Sequence, residues 1–353
     1  MVAYYPGAMR WDIFCKVIDN HGDIGVCWRL AAGLAARGEH VRLWVDDASA
    51  LAWMAPQGAP GVDVGHWDAA RGVEPGDVVV EAFGCDLDDA VQSAIATAAR
   101  ERGRQPDWIN LEYLSAEAWV ERCHALPSPV LAGPAHGLQK RFFYPGFTTR
   151  TGGLLREPGL LARREQFDRS AWLRARGIRW NGESLASLFC YEPPGLLPWL
   201  EARLASGEPL RLLVTSGRAE RAIRALPAAV TSRLDIEWLP LLPQVEYDHL
   251  LWACDFNFVR GEDSVVRALW AGQPFAWHIY PQDDDAHRAK LDAFLDRIEA
   301  PASLRALHAA WNFGAAGADA WDLPAWRHSV GAARDAMAQQ DDLATQLLAF
   351  VRR

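Results

Sequence analysis

The sequence has few cysteines, and they form neither a C-x-x-C pair nor a compact cluster. A zinc ribbon needs such spacing, and cysteines this widely scattered along the chain do not favour a disulfide framework either. Scattered cysteines in or beside apolar runs are typical of buried thiols in a reduced protein, and we therefore expect a cytoplasmic location. The six positions are Cys15, Cys27, Cys85, Cys123, Cys190 and Cys254.

Long apolar runs are also lacking: none approaches the ~20 residues of a membrane-spanning helix, and no signal peptide is visible. A basic charge excess is missing as well, because the formal net charge is −9. Proteins that bind nucleic acids or membrane surfaces generally carry a basic field, so we expect neither partner. With 50% hydrophobic and 23% charged residues over 353 positions, the composition indicates a globular protein with two domains.

The dinucleotide-binding motif G-x-G-x-x-G is absent. Instead, apolar strand-like runs alternate with amphipathic helical segments in the N-terminal part and again after residue 182. This alternation predicts an α/β fold with two doubly wound domains, which would hold a ligand in the cleft between them at the carboxyl ends of the strands. The predicted strands are 11–18, 41–45, 78–83, 108–111, 185–190, 210–214, 236–239, 256–259 and 275–279.

Residues 126–182 interrupt this alternation with five prolines and the Gly152-Gly153 turn. The basic stretch 163–176 is interpreted as a solvated connector. The predicted boundaries are therefore 1–180 for the N-terminal domain and 181–328 for the C-terminal domain. The tail over about 329–353 is amphipathic and is predicted to be helical.

An acidic turn follows the first predicted strand, where Asp19 and Asp23 flank Gly22. Open α/β sheets bind ligands at such a position. Two structural alternatives remain open from the residues alone. Asp23 could cap the following helix, and Asp19 could form a turn through its side chain.

A second turn, Arg260-Gly261-Glu262-Asp263-Ser264, joins a predicted strand to an amphipathic helix. The free N–H groups of a helix N-terminus and an arginine can hold phosphate, whereas carboxylates accept hydrogen bonds from hydroxyl groups. A nucleotide sugar carries both kinds of group. In the structural alternative, the carboxylates only stabilise the helix start, the serine caps it, and the arginine forms an ion pair with one of the two acids.

Further candidates lie after other strands of the second half. Phe189 and Tyr191 alternate at the end of one strand, and Gln244 precedes a helix. Core packing for the aromatic residues and helix capping for the glutamine are the structural alternatives. Asp283 and Asp285 form a D-x-D pattern in an acidic loop, which is weak evidence for a metal, and we expect none.

Several segments resemble the bacterial protein-arginine rhamnosyltransferases of elongation factor P, the EarP family. The resemblance spans nearly the whole chain in the right order and departs from the family at His21, where an aromatic residue is expected. The matching segments are 15–31 (CKVIDNHGDIGVCWRLA), 110–117 (NLEYLSAE), 152–154 (GGL), 260–264 (RGEDS), 271–275 (AGQPF) and 279–282 (IYPQ).

The resemblance implies a GT-B glycosyltransferase, in which an acceptor-binding and a nucleotide-sugar-binding Rossmann-like domain face each other across a cleft. A C-terminal helix would cross back to the first domain. The implied reaction moves L-rhamnose from dTDP-β-L-rhamnose to an arginine of elongation factor P, with inversion and without a metal or other cofactor. The alternatives are a GT-B enzyme with another acceptor and a non-catalytic adaptor that binds a protein partner.

The resemblance also implies roles for individual residues. Asp23 would be the general base, Asp19 an essential partner, and Glu262 the glutamate of the catalytic site. The residues expected to bind the nucleotide sugar are Asn20, Gly22, Phe189, Tyr191, Gln244, Arg260, Gly261, Asp263 and Ser264.

Overall fold

The computed structural model describes residues 7–18, 21–281, 285–315 and 321–352. The chain divides into two compact units, Met1–Pro158 with Gln339–Arg353, and Gly159–Ala338. Each unit contains its own, mostly parallel sheet connected through helices. The predicted α/β fold with two Rossmann-like domains is therefore confirmed.

The first unit is built on one seven-stranded sheet. Its strands, numbered β1 to β7 in chain order, are Arg10–Cys15, His40–Val45, Val62–His66, Val78–Ala82, Asp107–Leu111, Pro127–Pro129 and Gln139–Phe143. They are ordered β3-β2-β1-β4-β5-β7-β6, and β6 pairs antiparallel with β7 while the other pairs are parallel. The run VVVEA of β4 is buried throughout, as expected for a central parallel strand.

Helices connect these strands. Those of the first unit before residue 158 are α1 (Gly22–Ala35), α2 (Leu51–Met54), a 3₁₀ turn (Trp67–Ala70), α3 (Asp89–Arg102) and α4 (Val120–Cys123). Within the described residues, no helix is long and apolar enough to cross a membrane. All six cysteines are free thiols, and five of them are buried.

The second unit is built on a five-stranded parallel sheet. Its strands β8 to β12 are Ser184–Leu188, Leu210–Val214, Asp235–Trp238, Phe256–Arg260 and Phe275–His278. Their order is β10-β9-β8-β11-β12, so β8 and β11 are neighbours at the centre of the sheet. The helices α5 to α14 are Leu160–Glu165, Arg169–Ala175, Leu196–Ser206, Arg218–Arg224, Ala228–Thr231, Gln244–Ala253, Gly261–Ala271, Ala286–Arg297, Ala302–Phe313 and Leu323–Ala338.

The C-terminal tail is two helices rather than the single predicted one. After α14, the chain turns at 339–342 and continues as α15, Leu343–Val351. Asp342 caps α15, because its Oδ1 accepts hydrogen bonds from the backbone N–H groups of Ala344 and Thr345. The apolar face of α15, including the fully buried Leu347, belongs to the core of the first unit. The helix that crosses back to the first domain is therefore α15, and the unit boundary lies at the turn before it.

Residues 159–180 belong to the second unit, which places its start earlier than the predicted boundary at 180. They form α5 and α6, and α6 packs on α10. Arg169 donates to both carboxylate oxygens of Asp255 at 2.8 Å, and Arg176 donates to Glu246. Two arginines of the basic stretch 163–176 are thus held by ion pairs within the second unit, and the interpretation of the stretch as a connector is wrong, although Arg163 and Arg174 are exposed.

Two parallel strands, β3 and β7, have no counterpart among the predicted strands. β7 lies inside the proline-containing region and pairs in parallel with β5, with Ile109 opposite Arg141. Its sequence QKRFF is mostly polar because the strand lies near the edge of the sheet. A polar run without alternation gives little signal for a strand.

Candidate functional site

The acidic turn of the first unit lies between β1 and α1, at the carboxyl edge of the sheet. Asp19 and Asn20 lie outside the described residues. Gly22 is the first residue of α1, and Asp23 follows it with 5% of its surface exposed. Asp23 Oδ2 accepts a hydrogen bond from the backbone N–H of Ile18 at 3.1 Å. The turn before α1 is thereby tied to the first turn of the helix.

Asp23 does not cap α1 from the N-cap position. That position is His21, whose side chain makes no capping hydrogen bond. Asp23 instead lies within the first turn, where the helix dipole stabilises a negative charge. The interpretation of Asp23 as the N-cap residue is therefore wrong, although Asp23 still lies near the N-terminus of the helix.

A second carboxylate holds the same loop. Asp46 follows β2, the neighbour of β1, and its Oδ1 accepts from the backbone N–H of Val17 at 2.9 Å. Asp46 and Asp23 thus fix two successive backbone groups, those of Val17 and Ile18. The loop that leads to Asp19 is positioned by acids from two different elements.

An aromatic pair and an acidic residue that are not among the predicted site residues lie after β4 and β5. The rings of Phe83 and Tyr113 stack with centroids 4.8 Å apart, and Tyr113 is 40% exposed. Phe83 has a φ of 59°, which is uncommon for a residue other than glycine. Glu112 accepts from Asn110 Nδ2 at 2.9 Å, and burial raises the pKa of its carboxyl above the ordinary value. The available signal was their position directly after two adjacent strands.

In the second unit, the predicted residues after β8 and β11 are brought together. Arg260 is the last residue of β11, while Phe189 and Tyr191 follow the adjacent β8. The guanidinium carbon of Arg260 lies 4.7 Å from the ring centroid of Phe189 and 4.6 Å from that of Tyr191. Cation–π contacts of this kind fix the plane of a guanidinium group.

The strand, tight turn and helix predicted around Gly261 are present. β11 ends at Arg260, and α11 begins at Gly261 with no intervening loop. Glu262 and Asp263 lie in the first turn of α11, and Ser264 is buried behind them. The N-cap residue is Arg260, so the alternative in which Ser264 caps the helix is wrong.

Gly261 enables the direct change from strand to helix. Its φ is 71°, and a Cβ atom there would meet no atom within 4 Å. A side chain would therefore be disfavoured by the backbone conformation rather than by a clash. The left-handed region costs a residue with a side chain about 1–2 kcal/mol.

We expect Gly261→Ala to lower the free energy of unfolding by about 1–2 kcal/mol and to weaken binding of the nucleotide proposed below, since the turn must shift. Gly207→Ala is a matched control. Gly207 has a φ of 70° with nothing within 4 Å of its would-be Cβ, and it ends α7. Urea unfolding should show a similar loss for both variants, whereas calorimetry should show weaker binding for Gly261→Ala alone. Equal affinities would contradict a role of this turn in binding.

The carboxylate of Glu262 forms an ion pair that the sequence did not indicate. Lys290 of α12 donates from Nζ to Glu262 Oε1 at 2.6 Å, and each side chain retains 19% of its exposure. The lysine is part of an ordinary amphipathic helix, so no local pattern marks it. This pair fixes the charged end of Glu262 between α11 and α12.

Tyr191 is held from several directions. Its backbone N–H donates to His278 Nδ1 at 3.3 Å, and its ring contacts Arg218 of α8 as well as Arg260. Burial, followed by the positive charges of Arg260 and Arg218, lowers the pKa of His278 to about 3. The imidazole is therefore neutral and accepts the hydrogen bond that positions Tyr191.

Gln244 is the first residue of α10, directly after Pro243. Tyr247 follows within the first turn, and its ring meets Phe189 edge-on with centroids 5.4 Å apart. Burial raises the pKa of the Tyr247 hydroxyl above its ordinary value. The start of α10 and the end of β8 are thus in contact through these two rings.

No cluster of three or more metal-binding side chains occurs among the residues described. Of the D-x-D pattern, Asp283 lies outside the described residues. Asp285 pairs with Arg288 at 3.4 Å on the surface.

Known proteins resemble this chain over nearly its full length. The family model of the elongation factor P (EF-P) rhamnosyltransferase EarP matches residues 11–352. A protein-arginine rhamnosyltransferase of Pseudomonas putida is 46% identical over 378 aligned positions, which cover 97% of this chain and 98% of the relative. A solved structure described as the structural basis for EarP-mediated arginine glycosylation of EF-P is 34% identical, with a TM-score of 0.63 and coverage of 98% of this chain and 99% of that one.

MurG of Acinetobacter baumannii shares the fold at 14% identity, with a TM-score of 0.53 and coverage of 97% of this chain and 99% of that one. The fold class is therefore that of the GT-B glycosyltransferases. The match over nearly the full length, at 46% identity to a curated member, settles the relationship. The chain belongs to the EarP family of protein-arginine rhamnosyltransferases and is a glycosyltransferase.

Proposed function

We propose that the protein transfers L-rhamnose from dTDP-β-L-rhamnose to an arginine side chain of elongation factor P, with inversion at the anomeric carbon. The observation that carries the proposal is the Arg260–Ser264 turn, with its arginine stacked on two aromatic rings, in a chain of the EarP family. The related structure concerned with arginine glycosylation of EF-P supports the choice of acceptor.

We assign donor binding to the carboxyl edge of the second sheet. The N–H groups at the start of α11, with Gly261, Asp263 and Ser264, and the guanidinium of Arg260 would meet the diphosphate. Glu262 would accept hydrogen bonds from sugar hydroxyl groups. Phe189 and Tyr191 offer flat apolar faces for the nucleoside, and Gln244 offers amide hydrogen bonds to it.

We propose that the acceptor arginine binds at the acidic turn of the first unit, through Asp23 together with Asp19. For Asn20 and Gly22 of the same turn, we propose a contact with the nucleotide sugar. A guanidinium has a pKa above ~12 and an aspartate one near ~3.9, so Asp23 cannot remove the proton before attack. The aspartates would instead grip the guanidinium and orient one nitrogen towards the anomeric carbon. The proton would then move to Asp23 late, as positive charge builds on that nitrogen.

The reaction is a single displacement. The nitrogen forms its bond to the anomeric carbon on the face opposite the diphosphate, while the carbon–oxygen bond to the diphosphate breaks through an oxocarbenium-like state. Arg260 and the N-terminus of α11 would stabilise the charge that develops on the leaving group. Independence from metals is a prediction from the family resemblance, and unchanged turnover in a chelator would support it.

The test is an incubation with dTDP-rhamnose and unmodified elongation factor P, followed by mass spectrometry of the acceptor. We expect one added deoxyhexose on one arginine peptide, and none when that arginine of the acceptor is replaced by lysine. No modification, or modification of another residue type, would contradict the proposal. Expected partners are thus the acceptor protein and the nucleotide sugar, with no nucleic acid or membrane.

Among the residues that the structure describes, no feature favours the adaptor or another acceptor, such as a lipid or a glycan, over this assignment. A cytoplasmic location also remains our proposal. Six free thiols, five of them buried, fit a reducing compartment.

A further inference from the structure

Two arginines enclose the ring of Tyr191. The guanidinium carbon of Arg260 lies 4.6 Å from the ring centroid, and that of Arg218 lies 4.7 Å from it. Arg260 ends β11, Tyr191 follows β8, and Arg218 begins α8 after β9. Because β9, β8 and β11 are consecutive in the sheet, both cations lie at the carboxyl edge where the donor is proposed to bind.

An acidic side chain of the same chain already pairs with one of these two arginines. Glu192, the residue after Tyr191, accepts hydrogen bonds from Arg218 Nε at 3.1 Å and from Arg218 Nη2. The hydrogen bond from Arg218 lowers the pKa of the Glu192 carboxyl, and the charges of Arg218, Arg221 and Arg260 lower it further. A carboxylate therefore occupies the positive field of three arginines.

This internal ion pair is accessible to solvent. The side chain of Glu192 is 53% exposed and that of Arg218 is 32% exposed. Ion pairs with this exposure contribute little stability, so separating the two groups costs little. A diphosphate carries more charge than a carboxylate and forms stronger, bidentate contacts with a guanidinium.

We propose that Arg218 is a second cation for the diphosphate of the donor, and that Glu192 is a resident counterion which the diphosphate displaces. The inference rests on the proposed function and extends it to two residues outside the recognised turn. With the donor absent, Glu192 keeps Arg218 beside Tyr191. With the donor bound, Arg218 exchanges the carboxylate for a phosphate oxygen and helps to stabilise the leaving group.

If the diphosphate displaces Glu192 from Arg218, removing the charge of Glu192 should strengthen dTDP binding. Glu192→Gln keeps the size of the side chain but removes the competing charge, so it should tighten dTDP binding by about threefold to tenfold. Arg218→Gln removes a charged hydrogen-bond donor and should weaken binding by about tenfold or more. Arg218→Lys keeps the charge without the fork and should fall between the wild type and Arg218→Gln.

Glu220→Gln is the matched control. Glu220 lies on the same helix as Arg218 but pairs with Arg224, at 2.9 Å. This variant loses the same charge as Glu192→Gln, and its dTDP affinity should equal that of the wild type. Any general effect of net charge on nucleotide binding would appear in it.

Isothermal titration with dTDP on the full-length protein and the four variants tests the inference, and thermal melting checks that each variant is folded. Tighter binding by Glu192→Gln with weaker binding by Arg218→Gln supports it. Unchanged or weaker binding by Glu192→Gln, or unchanged binding by Arg218→Gln, overturns it while leaving the proposed function intact. Failure of the wild type to bind dTDP would instead overturn the proposed donor and this inference together.

Discussion

Replacing Asp23 by asparagine is expected to lower kcat by about a thousandfold, within the range of roughly 10²–10⁴ attributed to general acid–base catalysis. Asparagine has nearly the same shape and can still accept the hydrogen bond from the backbone N–H of Ile18. It cannot carry the charge that orients the acceptor guanidinium, nor take up the proton released during attack. Turnover should therefore fall while dTDP binding stays unchanged.

Asp46→Asn separates chemistry from loop anchoring. Asp46 holds the adjacent backbone N–H of Val17 at 2.9 Å and follows the neighbouring strand. If the two aspartates merely shape the loop, the two variants should lose turnover to the same extent. The proposed role predicts that Asp46→Asn retains most of its activity. Single-turnover kinetics with saturating dTDP-rhamnose would distinguish the two, and near-normal turnover by Asp23→Asn would rule out its role as base.

Replacing Glu262 by glutamine is expected to lower kcat by about a hundredfold, comparable with the loss of one preorganised contact in a transition state. The substitution removes the charge that we place against the sugar and also breaks the ion pair with Lys290 Nζ at 2.6 Å. Binding of dTDP-rhamnose should weaken more than binding of dTDP, since the contact is with the sugar. If turnover and both affinities stay at wild-type values, Glu262 has no part in the site.

A second variant shows whether Glu262 acts on the substrate or only joins two helices. Lys290→Met removes the partner from α12 but leaves the carboxylate on α11. If Glu262 only joins the helices, Glu262→Gln and Lys290→Met should have equal effects on melting temperature and turnover. A role at the sugar predicts a clearly larger loss of turnover for Glu262→Gln. Turnover of each variant should therefore be measured with saturating donor, at the same interval below its own melting temperature.

The parts of the fold that sequence patterns predict are those with local signals. The run VVVEA predicts a central parallel strand. The apolar run before Gly261 predicts β11, and the amphipathic run after it predicts α11. The left-handed φ of Gly261 explains why glycine stands at that junction. Such features depend on neighbours within one or two turns of the chain.

The missing parts depend on pairs that are distant in sequence. The ion pair of Lys290 with Glu262 joins positions 28 residues apart, and that of Arg218 with Glu192 joins positions 26 residues apart. No pattern around Lys290 or Arg218 distinguishes it from other basic residues on helices. The polar strand β7 has no local signal for a similar reason, because its place is fixed by pairing with β5 rather than by its own residues.

The boundary of the units illustrates the same limit. The amino-acid composition predicts a connector in the proline-containing region. Residues 159–180 of that region nevertheless belong to the second unit, to which ion pairs such as Arg169 with Asp255 attach them. The capping aspartate Asp342 marks the return into the first unit at the start of α15. Arg169 and Asp342 are visible in the sequence, but their structural roles become clear only from the residues that they contact.

The central claim is a direct attack of an arginine nitrogen on the anomeric carbon, opposite the departing diphosphate. The configuration of the product tests this most directly, because one displacement inverts that carbon and two displacements retain it. Nuclear magnetic resonance of the modified acceptor peptide, made from dTDP-β-L-rhamnose, should show an α-linked rhamnose on the arginine nitrogen. A β-linked product would contradict the account.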